Sequence, residues 1–494
     1  MKRHFIPYLL VLCLAGCTQR PAVKQWVSTT PEAAWQALAV DLAADTSQAT
    51  VVIDLARTAQ AVDGFGICFT EMGWHALNIL EPARRDSVLR DLFSPGVGAN
   101  FTLCRTPIGA NNYSTDYYSY DDTEGDFDLK NFSIAHDRVN LIPYIHAAQR
   151  FNPGLRLYAT PWCPPTWMKR NKHFACLSNQ SMECIILDLV GIKNAREQDI
   201  LDHIVQNGLD VADEVAEGTD GFIMRDDYLE AYARYFAKYV EAYRREGINI
   251  FAVMPQNSFC SAQIFPSCTW SLQGLTTFMG QYLGPAMQEE GVELMYGTLA
   301  GRDSASVDAI LADSACRNYV HTLGFQWGGI DALHYASAAY PDLKFYQTEH
   351  ETSDGLNTWQ SAIHSWDTLL DYFRHGASAY TYYNAAAQPG GINRWGLPSN
   401  SLLTVDDSRR TASYNPDYYV IRHVSHFVQP GAQRIELGGT YTEALGFLNP
   451  DHTLAVVLAN KSDTPRPVSI RLGDRTVTPT LPAHSFNTLL FEHI

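Results

Sequence analysis

The chain has 494 residues, about three times the length of an ordinary single domain, and 46% of them are hydrophobic. Only 18% are charged, while ten Trp, 26 Tyr and 22 Phe supply material for a large core, which excludes both a mini-protein and wholesale disorder. Against 36 basic side chains stand 53 acidic ones, a formal charge of −17, so the chain has no general attraction for phosphate backbones and nucleic acid is not an expected partner.

Lys2, Arg3 and His4 precede an apolar run from Phe5 to Leu14, and Leu14-Ala15-Gly16-Cys17 follows. This is the three-part pattern of a secretory signal ending in a lipidation site, and it is similar to the bacterial lipoprotein box. It predicts a signal over residues 1–16, a lipid on Cys17, a tether over 17–26, and anchorage in a bacterial cell envelope, at the outer membrane or in the periplasm. An exported chain meets oxidising conditions, and Cys176/Cys184 and Cys260/Cys268 are its candidate loop pairs. Neither CxxC nor HExxH occurs, so no metal site is expected.

Residues 27–60, with a strand over Ala49–Leu55, precede the main unit. From residue 61 to 427, short β-type runs alternate with helical patterns. The runs are Asp63–Thr70, Asn100–Gly109, Leu155–Pro161, Ile248–Gln256, Glu293–Leu299, Val320–Trp327, Leu343–Glu349 and Ser378–Asn384. Helices are predicted between them, for example over Ile134–Arg150 and Tyr228–Glu246, the latter with apolar or aromatic residues at 228, 229, 232, 235, 236, 239, 240 and 243. Eight βα repeats point to a closed (β/α)8 TIM barrel. A doubly wound open sheet is the alternative, disfavoured because no glycine-rich phosphate loop follows the first run.

An insertion over residues 171–221 interrupts this order, and residues 183 to 220 hold ten acidic and two basic side chains. It reads as a solvated acidic surface or as a lid facing a substrate. From residue 428 to 494 the pattern changes to short alternating strands, Ala444–Leu448, Thr453–Ala459, Val468–Leu472, Val477–Leu481 and Ser485–Phe491. That is an antiparallel β-sandwich side domain, to which residues 27–60 add a strand.

Functional side chains of such a barrel stand at the carboxyl ends of its strands. Those ends present Glu71, Asn111, Asn112, Trp162, Asn257, Ser258, Trp327, Glu349 with His350 and Glu351, Tyr383 and Asn384. Indoles stack on the apolar faces of a sugar ring while amides and acids hold its hydroxyls. With no metal-ligand spacing nearby, glycoside hydrolysis is the reaction class these residues suit. A retaining mechanism needs two carboxyl groups, one attacking the anomeric carbon and one protonating the departing oxygen. Glu349 supplies the first from run seven. Run four ends Met254-Pro255-Gln256-Asn257-Ser258 and supplies no second.

Several of these stretches resemble glycoside hydrolase family 30, the glucosylceramidase and β-1,6-glucanase family: Tyr346-Gln347-Thr348-Glu349-His350-Glu351, Thr160-Pro161-Trp162-Cys163-Pro164-Pro165-Thr166-Trp167, Pro107-Ile108-Gly109-Ala110-Asn111-Asn112 and Gln263-Ile264-Phe265-Pro266-Ser267-Cys268-Thr269-Trp270. Gly64-Phe65-Gly66, Asn415-Pro416 and Leu481-Pro482-Ala483-His484-Ser485 extend the resemblance from about residue 49 to the end. It implies a barrel with a β-sandwich, no cofactor, and a carbohydrate or glycolipid substrate. It assigns the nucleophile to Glu349, a sugar-binding Trp to Trp162 and the strand-four Asn to Asn257, while Asn112, Trp327, Tyr383 and Asn384 are the further substrate-binding candidates from the strand ends. It also places the acid/base glutamate of the family at Ser258, and Tyr383 stands where the family usually has Trp.

Acid–base assistance is worth about 10²–10⁴-fold, so the serine leaves three readings. The proton comes from elsewhere, for example Glu71, Glu351 or a water. Or the substrates carry good leaving groups. Or the protein is a catalytically weakened carbohydrate-binding homologue.

Overall fold

A computed structural model describes residues 22–40, 48–190, 204–301, 304–350 and 354–494. The signal sequence, Cys17 and Glu351 lie outside the described residues. Eight parallel strands close into a barrel: β1 Gly64–Cys68, β2 Leu103–Ile108, β3 Arg156–Pro161, β4 Ile250–Val253, β5 Glu293–Leu299, β6 Val320–Gln326, β7 Lys344–Glu349 and β8 Ala377–Asn384. β8 pairs with β1 to complete the ring. Seven of the strands fall within their predicted runs and β8 begins one residue before its own, and every residue of β1, β2 and β8 is buried. Burial on both faces is what parallel strands under helices require. Leu103, Tyr158, Ala252, Met254, Met295, Tyr346 and Ala379 fill the barrel interior, so it is a packed core with its chemistry confined to the mouth.

The helix Asp226–Arg245 buries Leu229, Tyr232, Tyr235, Phe236, Tyr239, Val240 and Tyr243, the face its periodicity marks. Asp226 and Asp227 lie in its first turn and Arg244 and Arg245 in its last, matching the helix dipole at both ends. The helix expected from Ile134 begins only at Leu141. Pro143, tolerated in a first helical turn and not further in, sets that start. Upstream, Asp137 turns inward to accept hydroxyl protons from Tyr118 at 2.8 Å, Tyr120 at 2.6 Å and Tyr243 at 2.6 Å.

The second unit is a nine-stranded sheet drawn from both ends of the chain. Its order is Gln36–Leu38, Ala22–Thr29, Ser485–Glu492, Leu454–Asn460, Ala444–Leu448, Gln433–Gly439, Val51–Ala61, Ile470–Leu472 and Arg475–Val477. A two-stranded sheet, Arg466–Pro467 with Thr480–Leu481, lies apart from it. Of the tether expected over 17–26, the residues from Ala22 onward are instead strand. Val23, Trp26 and Val27 are buried, and the Trp26 indole donates to Asn487 Oδ1 at 3.3 Å, contacts that an extended linker would lack. Where the units meet, His423 of the helix Pro416–Ser425 lies between Thr29 Oγ1 at 3.0 Å and Thr488 Oγ1 at 2.9 Å.

Neither candidate disulfide forms: the cysteines from Cys68 to Cys316 are all free thiols. Cys176 is buried and donates to the Ser267 carbonyl at 3.4 Å, whereas Cys184 is exposed. Cys268 is buried beside the Thr269 carbonyl, away from the half-buried Cys260.

Candidate active site

Glu349 is the last residue of β7 and is 3% exposed. Beneath it lies Arg105, the only charged residue of β2 and itself fully buried. Arg105 Nη1 donates to Glu349 Oε2 at 2.7 Å and to the Thr348 carbonyl at 3.3 Å. Its Nη2 donates to Asn257 Oδ1 at 2.7 Å, and Nε donates to Thr160 Oγ1 at 3.3 Å. The planar guanidinium thus sets the nucleophile candidate and the strand-four amide in one frame. Its carbon sits 4.4 Å from the centroid of the Trp162 ring, which adds a cation–π contact. Burial raises the pKa of Glu349 above the usual carboxylate range, and the Arg105 charge with hydrogen bonds from Arg105 and Trp327 opposes that rise.

Asn257 and Ser258 follow β4. The Asn257 amide donates to the Pro161 carbonyl at 2.8 Å, and the Ser258 amide donates to Thr298 Oγ1 at 2.7 Å. Thr298 Oγ1 donates in turn to Asn257 Oδ1 at 3.3 Å. Ser258 takes a left-handed φ of 43°, and its hydroxyl accepts from Gln326 Nε2 at 2.6 Å. Trp327, directly after β6, also has a left-handed φ, 48°, and leaves 43% of its surface exposed.

These side chains enclose a cavity of about 240 Å³. Of the residues expected from the sequence, Glu349, Ser258, Asn257, Asn112, Trp162 and Trp327 line it. Tyr383 stands behind that wall. Its hydroxyl donates to Asn112 Oδ1 and accepts from Asn111 Nδ2 at 3.3 Å, so it orients an amide of the wall. Asn384 does not reach the cavity, contrary to expectation. It is fully buried and donates from Nδ2 to Ser399 Oγ at 2.9 Å, because adjacent strand residues point to opposite faces and Tyr383 takes the inward direction.

Glu71 is also elsewhere. Its carboxylate meets His136 Nε2 at 2.7 Å and accepts from Asn140 Nδ2 at 2.8 Å and the Thr115 amide at 2.9 Å. Burial pushes its pKa up, but the hydrogen bonds from His136, Asn140 and Thr115 outweigh that and hold it below the usual range. A carboxylate held as an anion in this way has no proton to give.

Sequence reasoning passed over Arg105, Thr298, Gln326, Phe265 and Glu217. Arg105 carried a signal, since a lone cation inside an apolar strand requires a buried partner. Glu217 lies in the acidic insertion and also lines the cavity, together with Cys260, Ser261, Gln263 and Phe265. The insertion is packed against the site: Ile204 joins Trp162, Phe265, Tyr383 and Trp395 in one apolar cluster.

The glycosyl hydrolase family 30 TIM-barrel domain matches residues 62–181 and 214–428, and the family 30 beta sandwich domain matches residues 431–489. The segment between 181 and 214 falls outside that match. Among characterised relatives, the lysosomal acid glucosylceramidase of Mus musculus is 26% identical over 466 residues, covering 88% of this chain and 81% of its own length. The endo-1,6-beta-D-glucanase neg1 of Aspergillus fumigatus is 25% identical over 429 residues, covering 81% and 78%. The crystal structure of SrfJ from Salmonella typhimurium shares the fold with a TM-score of 0.79 at 24% identity, covering 94% of this chain and 98% of its own. The endo-beta1,6-glucanase BT3312 does so with a TM-score of 0.76, also at 24% identity and with the same coverage. With both domains matched in order along the sequence, the chain belongs to glycosyl hydrolase family 30.

Proposed function

We propose that the protein is a retaining glycoside hydrolase acting on β-glucosidic bonds of a glucosylceramide-like or β-1,6-glucan-like substrate. The observation that carries this reading is the buried Arg105–Glu349 pair at 2.7 Å, opening onto a cavity lined by Trp162 and Trp327. Glu349 attacks the anomeric carbon and forms a glycosyl ester, which water then hydrolyses. The Arg105 charge favours the ionised form of the carboxylate and fixes its direction, so the attacking oxygen meets the sugar without a reorganisation step. Asn257 and Asn112 offer amides to sugar hydroxyls, and the indoles pack on the C–H faces of the ring. Ser258 stands in the place of the usual acid/base glutamate.

The glucosylceramidase and endo-1,6-glucanase relatives support the substrate class, and the lipoprotein-like start supports an exported, lipid-anchored enzyme that meets its substrate in a bacterial envelope. A second reading, carbohydrate binding without turnover, draws on Ser258 alone. Incubation with a 2-deoxy-2-fluoro aryl β-glucoside separates the two, because that reagent brings its own good leaving group. A glycosyl ester on the peptide containing Glu349, found by mass spectrometry and absent from Glu349→Gln, is the expected result. No adduct, with sugar binding intact, establishes the second reading.

A further inference from the structure

The acid/base position holds a serine, yet the cavity contains a second carboxyl group. Among the described residues lining it, the acidic ones are Glu349 and Glu217. Glu217 comes from the insertion rather than from a barrel strand, and it is fastened to the loop that carries Ser258. Its Oε1 accepts the Ala262 amide at 3.1 Å, and Ala262 lies four residues beyond Ser258 in a turn closed by Ser261 N–H on the Ser258 carbonyl at 2.9 Å.

The stretch that presents Glu217 is tied down on both sides. Glu214 Oε1 accepts the Ser178 amide at 2.9 Å, the Val215 amide donates to the Cys176 carbonyl at 2.9 Å, and the Gly221 amide donates to the Thr269 carbonyl at 2.8 Å. Glu217 itself is exposed and lines the cavity that Glu349 also lines. Glu71, the other described candidate from the sequence, is engaged by His136 and Asn140 and does not line the cavity.

We infer that Glu217 is the proton donor and acceptor of this enzyme, a carboxyl group supplied by the insertion to the side of the sugar from which the strand-four residue has gone. The inference rests on the retaining hydrolase reading above. In the first step a Glu349 oxygen bonds to the anomeric carbon, and the bond to the aglycone oxygen breaks with its electron pair on that oxygen. The oxygen takes the proton of the Glu217 carboxyl group, directly or through one water. In the second step the Glu217 carboxylate removes a proton from water, the water oxygen bonds to the anomeric carbon, and the ester to Glu349 breaks to restore the carboxylate. Glycoside and water become sugar and alcohol, and both carboxyl groups return to their starting states.

The test compares methyl β-glucoside, which needs a proton on its leaving group, with 2,4-dinitrophenyl β-glucoside, which does not, in the intact protein and in Glu217→Gln. The expected result is a loss of about 10²–10⁴-fold in kcat/KM on the methyl glycoside and a loss of less than about tenfold on the dinitrophenyl one. Azide should restore dinitrophenyl glucoside turnover in the variant and yield β-glucosyl azide, because an anion needs no base to attack the ester. Equal losses on both substrates, or full methyl glucoside turnover by Glu217→Gln, overturn the role of Glu217 and leave the hydrolase reading standing. An unaltered protein that turns over neither substrate overturns that reading and this inference with it.

Discussion

Gln326 donates from Nε2 to the Ser258 hydroxyl at 2.6 Å, so the side chain that follows Asn257 at the cavity wall is short, uncharged and already engaged by its neighbour. Ser258→Glu puts a carboxyl group at that point of the wall, within reach of the same amide. In the Glu217→Gln background it is expected to raise kcat/KM on an alkyl β-glucoside by about 10²–10⁴-fold, with little change on an aryl glycoside bearing a good leaving group. Equal rates with and without Ser258→Glu would show that the serine is not the source of any deficit.

Arg105 bonds to Glu349 and Asn257 together, and truncating it strands both in a buried site. Arg105→Ala should cost about 3–5 kcal/mol of stability, read by denaturant unfolding. Arg105→Lys keeps a charge but cannot hold both partners in one plane. With less support for its anion, Glu349 should ionise at higher pH, and since only the anion attacks, the acidic limb of kcat/KM should move up. A limb that stays in place would mean that the positive charge alone, not the fork, sets the nucleophile's ionisation.

Asp137, buried among three tyrosine hydroxyls, is pushed up to about 6 by burial, although those hydroxyls pull the other way. Between the unfolded value of ~3.9 and the folded one the native state holds a proton that the unfolded chain gives up. The resulting stabilisation is complete below the unfolded value and is lost as pH rises through about 6. For one such aspartate this is about 3 kcal/mol. Asp137→Asn cannot titrate, so its urea midpoint should fall less between about pH 4.5 and about pH 7.5 than that of the parent. Asp417, raised to about 6 by the same cause, retains its share in both proteins. Parallel midpoints would assign the whole effect elsewhere.

The two cavity indoles should separate binding from folding. Trp327 is 43% exposed at the rim, so Trp327→Ala should raise KM for a glucoside about 3- to 10-fold and leave the melting temperature nearly unchanged. Trp162 is 2% exposed and lies against the Arg105 guanidinium, so Trp162→Ala should lose about 3–5 kcal/mol of stability in addition to activity. Matching effects in the two variants would remove the distinction between a rim platform and a buried wall.

The barrel was legible because its strands are buried on both faces and read as unbroken apolar runs between amphipathic helices. β5 and the strand Ala444–Leu448 fall where the pattern puts them, and β7 ends at Glu349 as read. Strand ends likewise pointed to most of the cavity wall. Pairings across the ring left almost no local trace: Arg105 and Glu349 are 244 positions apart, and nothing in β7 marks its need for a cation from β2. Asn384 was misread because alternation along β8 was not applied to its last two residues. Glu217 lay hidden in a stretch whose many acids made any one of them look like ordinary solvated surface.

The sheet of the second unit places Val51–Ala61 between Gln433–Gly439 and Ile470–Leu472, and joins Ala22–Thr29 to Ser485–Glu492. A ribosome therefore releases the early strands long before their neighbours exist, with about 370 residues of barrel to be made in between. The barrel has to assemble while Trp26 and Val51 still lack their cover, and the last strand to emerge locks the first. A message cut short by a single strand would leave a finished catalytic ring beside an open, adhesive edge.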